Sequence, residues 1–298
     1  MKKLMGDQAP YVSTGCFKSK SVSEIVSLAL DFRLHRIELS SGTAWAPDPL
    51  DAIRKTSGNP VNYLVHNYFP SHRDPFVLNL ASADDTTLRR SRDHCRAAID
   101  LCQEFNAPFF SVHAGFAFQA KPENLGRDVT QLPRVSLEEA QKTFVDSLRD
   151  LCAYGQTKQV RVLVENNVVH PFNLIEGQNR VGLCATAEDM RRTRKEVGAS
   201  NLGFLIDVGH LKVTANSLGF DRDRFLDDVG PHIEAFHLSD NDGTADRNLP
   251  FGIDAWFLPR FVDFPQATMV LEAYALDVPV IVETCRVIER AHQRVPAV

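Results

Sequence analysis

The chain has 298 residues, 44% of them hydrophobic, with a formal net charge of −5 at pH 7 and a pI of about 6.1. That composition suits a globular protein, and the acidic balance argues against a surface that steers nucleic acid by its overall field. No apolar stretch reaches the roughly 18 residues of a membrane span, MKKLMGDQAP lacks a signal-peptide apolar core, and the six cysteines form no CxxC pair, so a cytoplasmic protein with reduced, buried cysteines is expected, without a disulfide framework or a cysteine zinc site.

Strand-like and helix-like segments alternate along the chain. YVSTGCF at residues 11–17 reads as a first strand, and Ser21 opens a helix through SVSEIVSLAL, with Glu24 completing a capping-box pattern. RIELSS at 36–41 is a second strand, 49–56 a short helix, and NYLVHNYF at 62–69 a third strand. A polar loop then leads to a helix over 84–105, and PFFSVHAG at 108–115 is a fourth strand. After an insertion rich in Pro, Gly and Asn, Ser136 and Glu139 form the next S-x-x-E cap. VRVLVENN at 160–167 is a fifth strand, followed by a helix over 186–197. GFLIDVGH at 203–210 and IEAFHLSDN at 233–241 are the sixth and seventh strands. A helix begins near Asp254, TMVLEAY at 268–274 is an eighth strand, and a last helix covers 280–292. Eight repeats, each a strand followed by a helix or a helix-length segment, predict a parallel sheet closed into a single (β/α)8 TIM barrel, one domain over residues 1–298. An open doubly wound sheet is the alternative, but no Gly-rich phosphate turn follows the first strand. The stretches 116–135 and 168–185 are long for βα loops and are candidate lids.

Four of the apolar runs end in a metal-binding residue: LVENN at Glu165, LIDVGH at Asp207, AFHLSDN at His237 and MVLEAY at Glu272. The separations are 42, 30 and 35 residues, and a strand, a crossover helix and their loops take roughly 30 residues or more. The four residues therefore fall at the same end of successive parallel strands, and a closed barrel makes them converge. Burying such groups is costly unless they are paired or bound to an ion. Three carboxylates and an imidazole form a hard ligand set for one divalent metal, Mn²⁺ or Mg²⁺ before Zn²⁺, Co²⁺ or Fe²⁺. His66 and His113 end the third and fourth strands, His210 follows Asp207 by three, and Glu38 is a further candidate for the mouth. Asn166 and Asn167 are placed to orient ligands, touch substrate or satisfy loop backbone groups.

At this point the chain resembles the xylose isomerase-like barrels, a superfamily of sugar and sugar-phosphate isomerases and epimerases, inosose dehydratases and endonuclease IV. The resemblance runs from HNYF through VHAG, VENN, DVGH, FHLSDN and LEAY. Likeness to the ketose 3-epimerase branch implies one ion on Glu165, Asp207, His237 and Glu272, with Glu165 and Glu272 also acting as acid and base on opposite faces of the substrate. It implies substrate contacts for His210 and for Arg247 in DRNLPFG. Likeness to endonuclease IV implies metal roles for His66, His113, His210, His237, Glu165, Asp207, Asp246 and Glu272, but Asn248 stands where that enzyme has a third-zinc histidine.

The function expected from residues and resemblance together is a metal-dependent isomerase or epimerase of a small sugar or sugar phosphate, working by glutamate proton transfer through a metal-stabilised enediolate. His66, His113, Asn167, His210 and Arg247 are the candidate substrate-binding residues. The alternatives are an inosose-type keto-sugar dehydratase and an endonuclease IV-like phosphodiesterase, with a non-catalytic sugar-binding barrel the last reading. No membrane or nucleic-acid partner is expected, and a homo-oligomer is left open.

Overall fold

Buried on both faces, the β-branched and aromatic runs of this chain pair side by side in the computed structural model, which describes residues 9–55 and 61–292. The strands are β1 (Tyr11–Ser13), β2 (Arg36–Leu39), β3 (Asn62–His66), β4 (Phe109–His113), β5 (Arg161–Glu165), β6 (Leu202–Asp207), β7 (Ile233–Leu238) and β8 (Thr268–Leu271). Each pairs in parallel with the next, and β8 pairs with β1 to close the barrel. The fold is a single (β/α)8 TIM barrel. Around it lie α1 (Val22–Asp31), α2 (Asp51–Lys55), α3 (Asp85–Glu104), α4 (Leu137–Lys158), α5 (Ala187–Val197), α6 (Val208–Leu218), α7 (Arg222–Val229) and α8 (Val278–His292).

Strand register explains why polar residues meet inside. Side chains alternate across a strand, so residues paired in register, or two positions beyond a pair, share a face. Ser13 pairs with Glu38, and Glu38 with Leu64, two residues before His66. His66 pairs with Ser111, two before His113, which pairs with Glu165. Glu165 pairs with Leu205, two before Asp207, and Asp207 pairs with His237. His237 pairs with Val270, two before Glu272. One continuous inward face thus carries Glu38, His66, His113, Glu165, Asp207, His237 and Glu272. The alternate residues Val65, Phe110, Val164, Ile206, Phe236 and Leu271 are buried on the other face, towards the helices.

The helix starts follow their caps. Side-chain oxygens of Ser21, Asp84, Ser136 and Thr186 accept from the backbone N–H three residues on, and the boxes Ser136–Glu139 and Thr186–Asp189 are reciprocal. Glu24 instead accepts from the Ser19 hydroxyl. All six cysteines are free and buried.

Several boundaries differ from the sequence reading. The strand expected over 203–210 stops at Asp207, and Val208 already begins α6. The cause is local: Asp207 caps that helix, its Oδ1 accepting from His210 N at 2.7 Å. A side chain on Gly209 would collide with Ser239 Oγ, at 2.8 Å. The first strand also ends early, at Ser13, where a 3₁₀ turn over Thr14–Cys16 takes over. The third strand stops at His66, because Asn67 turns the chain with φ +44°. No α-helix begins near Asp254; a 3₁₀ helix spans Leu258–Asp263. The short helix expected over 49–56 is α2, and Thr56 lies outside the described residues. The helix α7 had no expected counterpart.

Candidate metal centre

Donor atoms of Glu165, Asp207, His237 and Glu272 all lie within 4.8 Å of one another at the C-terminal end of the barrel. Glu165, Asp207 and His237 are fully buried, and Glu272 is 5% exposed. The strand ends supply the first two, β7 carries His237, and Glu272 follows β8, held by its N–H donating to Leu238 O. Asp207 is clamped by Asn166, whose Oδ1 accepts from Asp207 N and whose Nδ2 donates to Asp207 O.

The orientation of His237 is set from behind. Its Nε2 lies 3.0 Å from Glu38 Oε2 and donates to that carboxylate. The other nitrogen, Nδ1, lies 2.7 Å from Glu272 Oε2 and 3.6 Å from Glu165 Oε1, and it makes no hydrogen bond. Both Glu165 oxygens and Asp207 Oδ2 also lack hydrogen-bond partners. Orphaned buried acceptors that converge from three strands are the signature of a cation site, since burying such charges unpaired costs several kcal/mol each. A carboxylate fixing the far nitrogen of a ligating histidine is the usual supporting arrangement of such centres. The donor set fits a hard divalent ion.

The imidazoles ring Glu165. His66 Nε2 is 3.3 Å and His113 Nε2 3.5 Å from its Oε2, and His210 Nδ1 is 3.3 Å from its Oε1. His66, His113 and Glu165 form a second group able to hold an ion, and Glu38, His66 and His237 a third. His66 is held by Ser111 Oγ at 2.9 Å. His210 donates from Nδ1 to Asn166 O and faces Asp246 Oδ2 with Nε2, at 3.3 Å.

The charges shift with these neighbours. Burial pushes Glu165 up, but His113, His237 and His66 outweigh it and hold the carboxyl well below its ordinary range. Burial raises Asp207 to about 7, opposed by His210 and helped by Asp246. His237 is raised well above an ordinary imidazole: burial works against this, but Glu272, Glu38 and Glu165 win. His210 is raised likewise by Asp207 and Asp246 against burial. Burial lowers His66 and His113 despite Glu165, and it raises Glu38 despite His237.

Not every candidate from the sequence joins this cluster. Glu165, Asp207, His237, Glu272, His66, His113 and His210 come together. Arg247 stands apart: its side chain is 58% exposed and pairs with Asp242 at 3.3 Å. Asn167 spends its Nδ2 on the carbonyls of Ala114, Gly115 and Leu183, which clasps the two long loops. Those loops are tied further by Ala117 N to Val181 O and Leu183 N to Gly115 O. A cavity of about 500 Å³ between residues 77–87 and 116–133 includes none of the centre's residues in its lining. Two further participants were only partly visible in the sequence. Glu38 was a candidate for the mouth, but its pairing with His237 was not visible, and Tyr274, whose hydroxyl is 3.4 Å from Glu272 Oε1, was not singled out and could be found only by falling two residues after Glu272.

Among known families, the xylose isomerase-like TIM barrel family matches residues 31–295. No curated protein sequence matches the chain. A D-tagatose 3-epimerase-like protein is 16% identical, with 96% of this chain and 98% of that chain covered at a TM-score of 0.69. The D-psicose 3-epimerase of Clostridium cellulolyticum, solved with D-tagatose, is 11% identical over 96% and 99% of the two chains, with a TM-score of 0.67. A xylose isomerase-like TIM barrel protein of Mycobacterium smegmatis, solved in complex with magnesium, is 13% identical over 98% of both, with a TM-score of 0.67. At these identities the likeness is one of fold. No helix among the described residues is long and apolar enough to cross a membrane.

Proposed function

The chain belongs to the xylose isomerase-like TIM barrel family, and on that premise we propose that it is a divalent-metal-dependent isomerase or epimerase of a small sugar or sugar phosphate. The observation that carries this reading is the meeting of Glu165, Asp207, His237 and Glu272 donors within 4.8 Å, several of them buried without hydrogen-bond partners. The names of the structural neighbours, a D-tagatose 3-epimerase-like protein and a D-psicose 3-epimerase, support the substrate class. A divalent ion such as Mn²⁺ or Mg²⁺ held by these four residues would polarise a substrate carbonyl and stabilise the charge that develops on its oxygen.

The chain's own groups supply the proton chemistry. One of Glu165 and Glu272 removes the proton alpha to the carbonyl, and the other returns one from the opposite face, giving epimerisation. Return to the neighbouring carbon gives isomerisation instead. His66, His113 and His210 border Glu165 and hold substrate oxygens. Asn167 acts through the loop clasp, and Arg247 reaches substrate only after leaving Asp242.

A second reading, endonuclease IV-like phosphodiester cleavage, is favoured by the second donor group of His66, His113 and Glu165. Against it stands Asn248, whose Nδ2 donates to Asp246 where a third ion would need a ligand.

The test is incubation of Mn²⁺-loaded protein with free and phosphorylated ketoses in D₂O. Deuterium wash-in at one carbon with retained mass of the sugar skeleton is the expected result. Loss of water from the product would replace this reading with keto-sugar dehydration. Nicking of an abasic-site oligonucleotide, with no exchange into any ketose, would replace it with the nuclease.

A further inference from the structure

The carboxylate of Glu272 has two differently occupied oxygens. Oε2 faces inward, 2.7 Å from His237 Nδ1. Oε1 faces Tyr274, whose hydroxyl lies 3.4 Å away and can donate to it. A phenol at this distance acts on a carboxylate only if it is held there, and Tyr274 is held on three sides. Its N–H donates to Asn248 O at 2.8 Å. The next residue, Ala275, turns the chain with φ +53° and donates to Gly15 O at 3.1 Å. The ring lies on Gly15 itself, where an added Cβ would stand 3.0 Å from Tyr274 Cε1 and 3.2 Å from Cδ1. A side chain at residue 15 would press on the ring, which would have to give by a few tenths of an ångström. Tyr274 is nonetheless 47% exposed, so the ring also borders the approach to the centre. An interior packing role would bury it.

We infer that Tyr274 is a positioning residue for Glu272, holding Oε1 away from the ion so that Oε2 alone ligates and Oε1 stays available to the substrate proton. This inference rests on the isomerase reading for its chemistry and on the geometry of Glu272 for its placement. Gly15 completes the device from the 3₁₀ turn that follows β1, the strand paired with β8 at the barrel seam. An acceptor oxygen has two lone pairs, so the phenol's hydrogen bond and proton transfer at Oε1 are compatible.

The experiment loads wild-type protein, Tyr274→Phe and Gly15→Ala with Co²⁺, whose visible bands report the number of ligands on the ion. Tyr274→Phe keeps the ring and removes only the hydroxyl. Freed Oε1 then joins Oε2 on the ion, and the visible bands weaken. The turnover number for deuterium wash-in falls about 10- to 100-fold with KM unchanged, the size usual for losing a group that orients a metal ligand. Gly15→Ala moves both readouts in the same direction by displacing the ring, and it serves if the first variant folds poorly. Wild-type bands in Tyr274→Phe, or in a folded Gly15→Ala when Tyr274→Phe does not fold, overturn the inference whatever the activity. If wild-type protein has the Co²⁺ bands but exchanges no deuterium into any ketose, the isomerase reading fails, while the spectral comparison still decides the position of Oε1. If wild-type protein takes up no Co²⁺, both fall.

Discussion

Two groups of buried histidines respond oppositely to the same burial. At the barrel mouth, His210 and His237 are raised well above an ordinary imidazole, because carboxylates face them: Asp207 and Asp246 in one case, Glu272, Glu38 and Glu165 in the other. On α3, where it packs against the loop after β3, His94 has no carboxylate that raises it. Its Nε2 donates to Asn67 O at 3.0 Å, its Nδ1 accepts from His72 Nε2 at 2.8 Å, and its ring stacks on Tyr68, with Arg90 over the nearby Phe76. Burial there lowers it to about 4, with His72 adding to the effect. The comparison separates two uses of one residue type. A buried imidazole among carbonyls and rings is a neutral strut. Where carboxylates outweigh burial, as at His210 and His237, the same ring carries charge and an ion can take the place of its proton; at His66 and His113, which also face Glu165, burial prevails.

The strongest way to break the comparison is to neutralise the carboxylates that make the mouth different. Glu272→Gln and Glu165→Gln should each lower turnover by on the order of 10³-fold, within the range for lost general acid–base catalysis. Circular dichroism should find the fold intact. Near-wild-type deuterium exchange in Glu272→Gln would remove that residue from the chemistry.

Acid should unsettle the loop through His94. Its folded pKa of about 4 lies below the ordinary 6.5, so between these values the unfolded chain binds a proton that the folded chain does not. Stability is therefore full above pH 6.5 and declines as pH falls towards 4, by about 3 kcal/mol at most. His94→Gln should flatten this limb in urea titrations across that window. An unchanged acid limb would show that the strut does not govern acid stability.

A smaller effect is expected from the ion itself. Chelator-treated protein given Mn²⁺ at a hundredfold excess over its Kd should gain about 2.7 kcal/mol of stability. Asp207→Asn should lose most of that gain in thermal melts, whereas His94→Gln should keep it. The smallest change belongs to Glu38→Gln, which leaves every ligand in place but weakens the support behind His237. Mn²⁺ affinity, measured by competition with a chelating dye, should fall about 10- to 100-fold. Unaltered affinity would make Glu38 a filler of the barrel interior.

Much of the barrel was legible along the chain because its signals are local. The apolar runs gave the strands, the S-x-x-E start gave α4, and the strand-end residues gave four candidate ligands whose donor atoms the structure brings together. The failures were also local in cause. DVGH continues the apolar pattern of β6 past Asp207, so the cap that starts α6 was hidden inside an apparent strand. Residues 254–263 are apolar enough for a helix, but only a 3₁₀ turn forms there. Asn167 was polar and well placed, yet three loop carbonyls claim its amide.

What the sequence determined by itself was parity: on short parallel strands, alternation fixes which residues face inward, and spacing fixes which end they occupy. It could not determine who meets whom across the interior. Glu38 and His237 stand 199 residues apart on strands that are not neighbours, and Tyr274, beside Glu272, packs its ring on Gly15 from the far end of the chain. Those distances depend on the width of the closed barrel and on the register of all eight strands together, and no local stretch of residues encodes either.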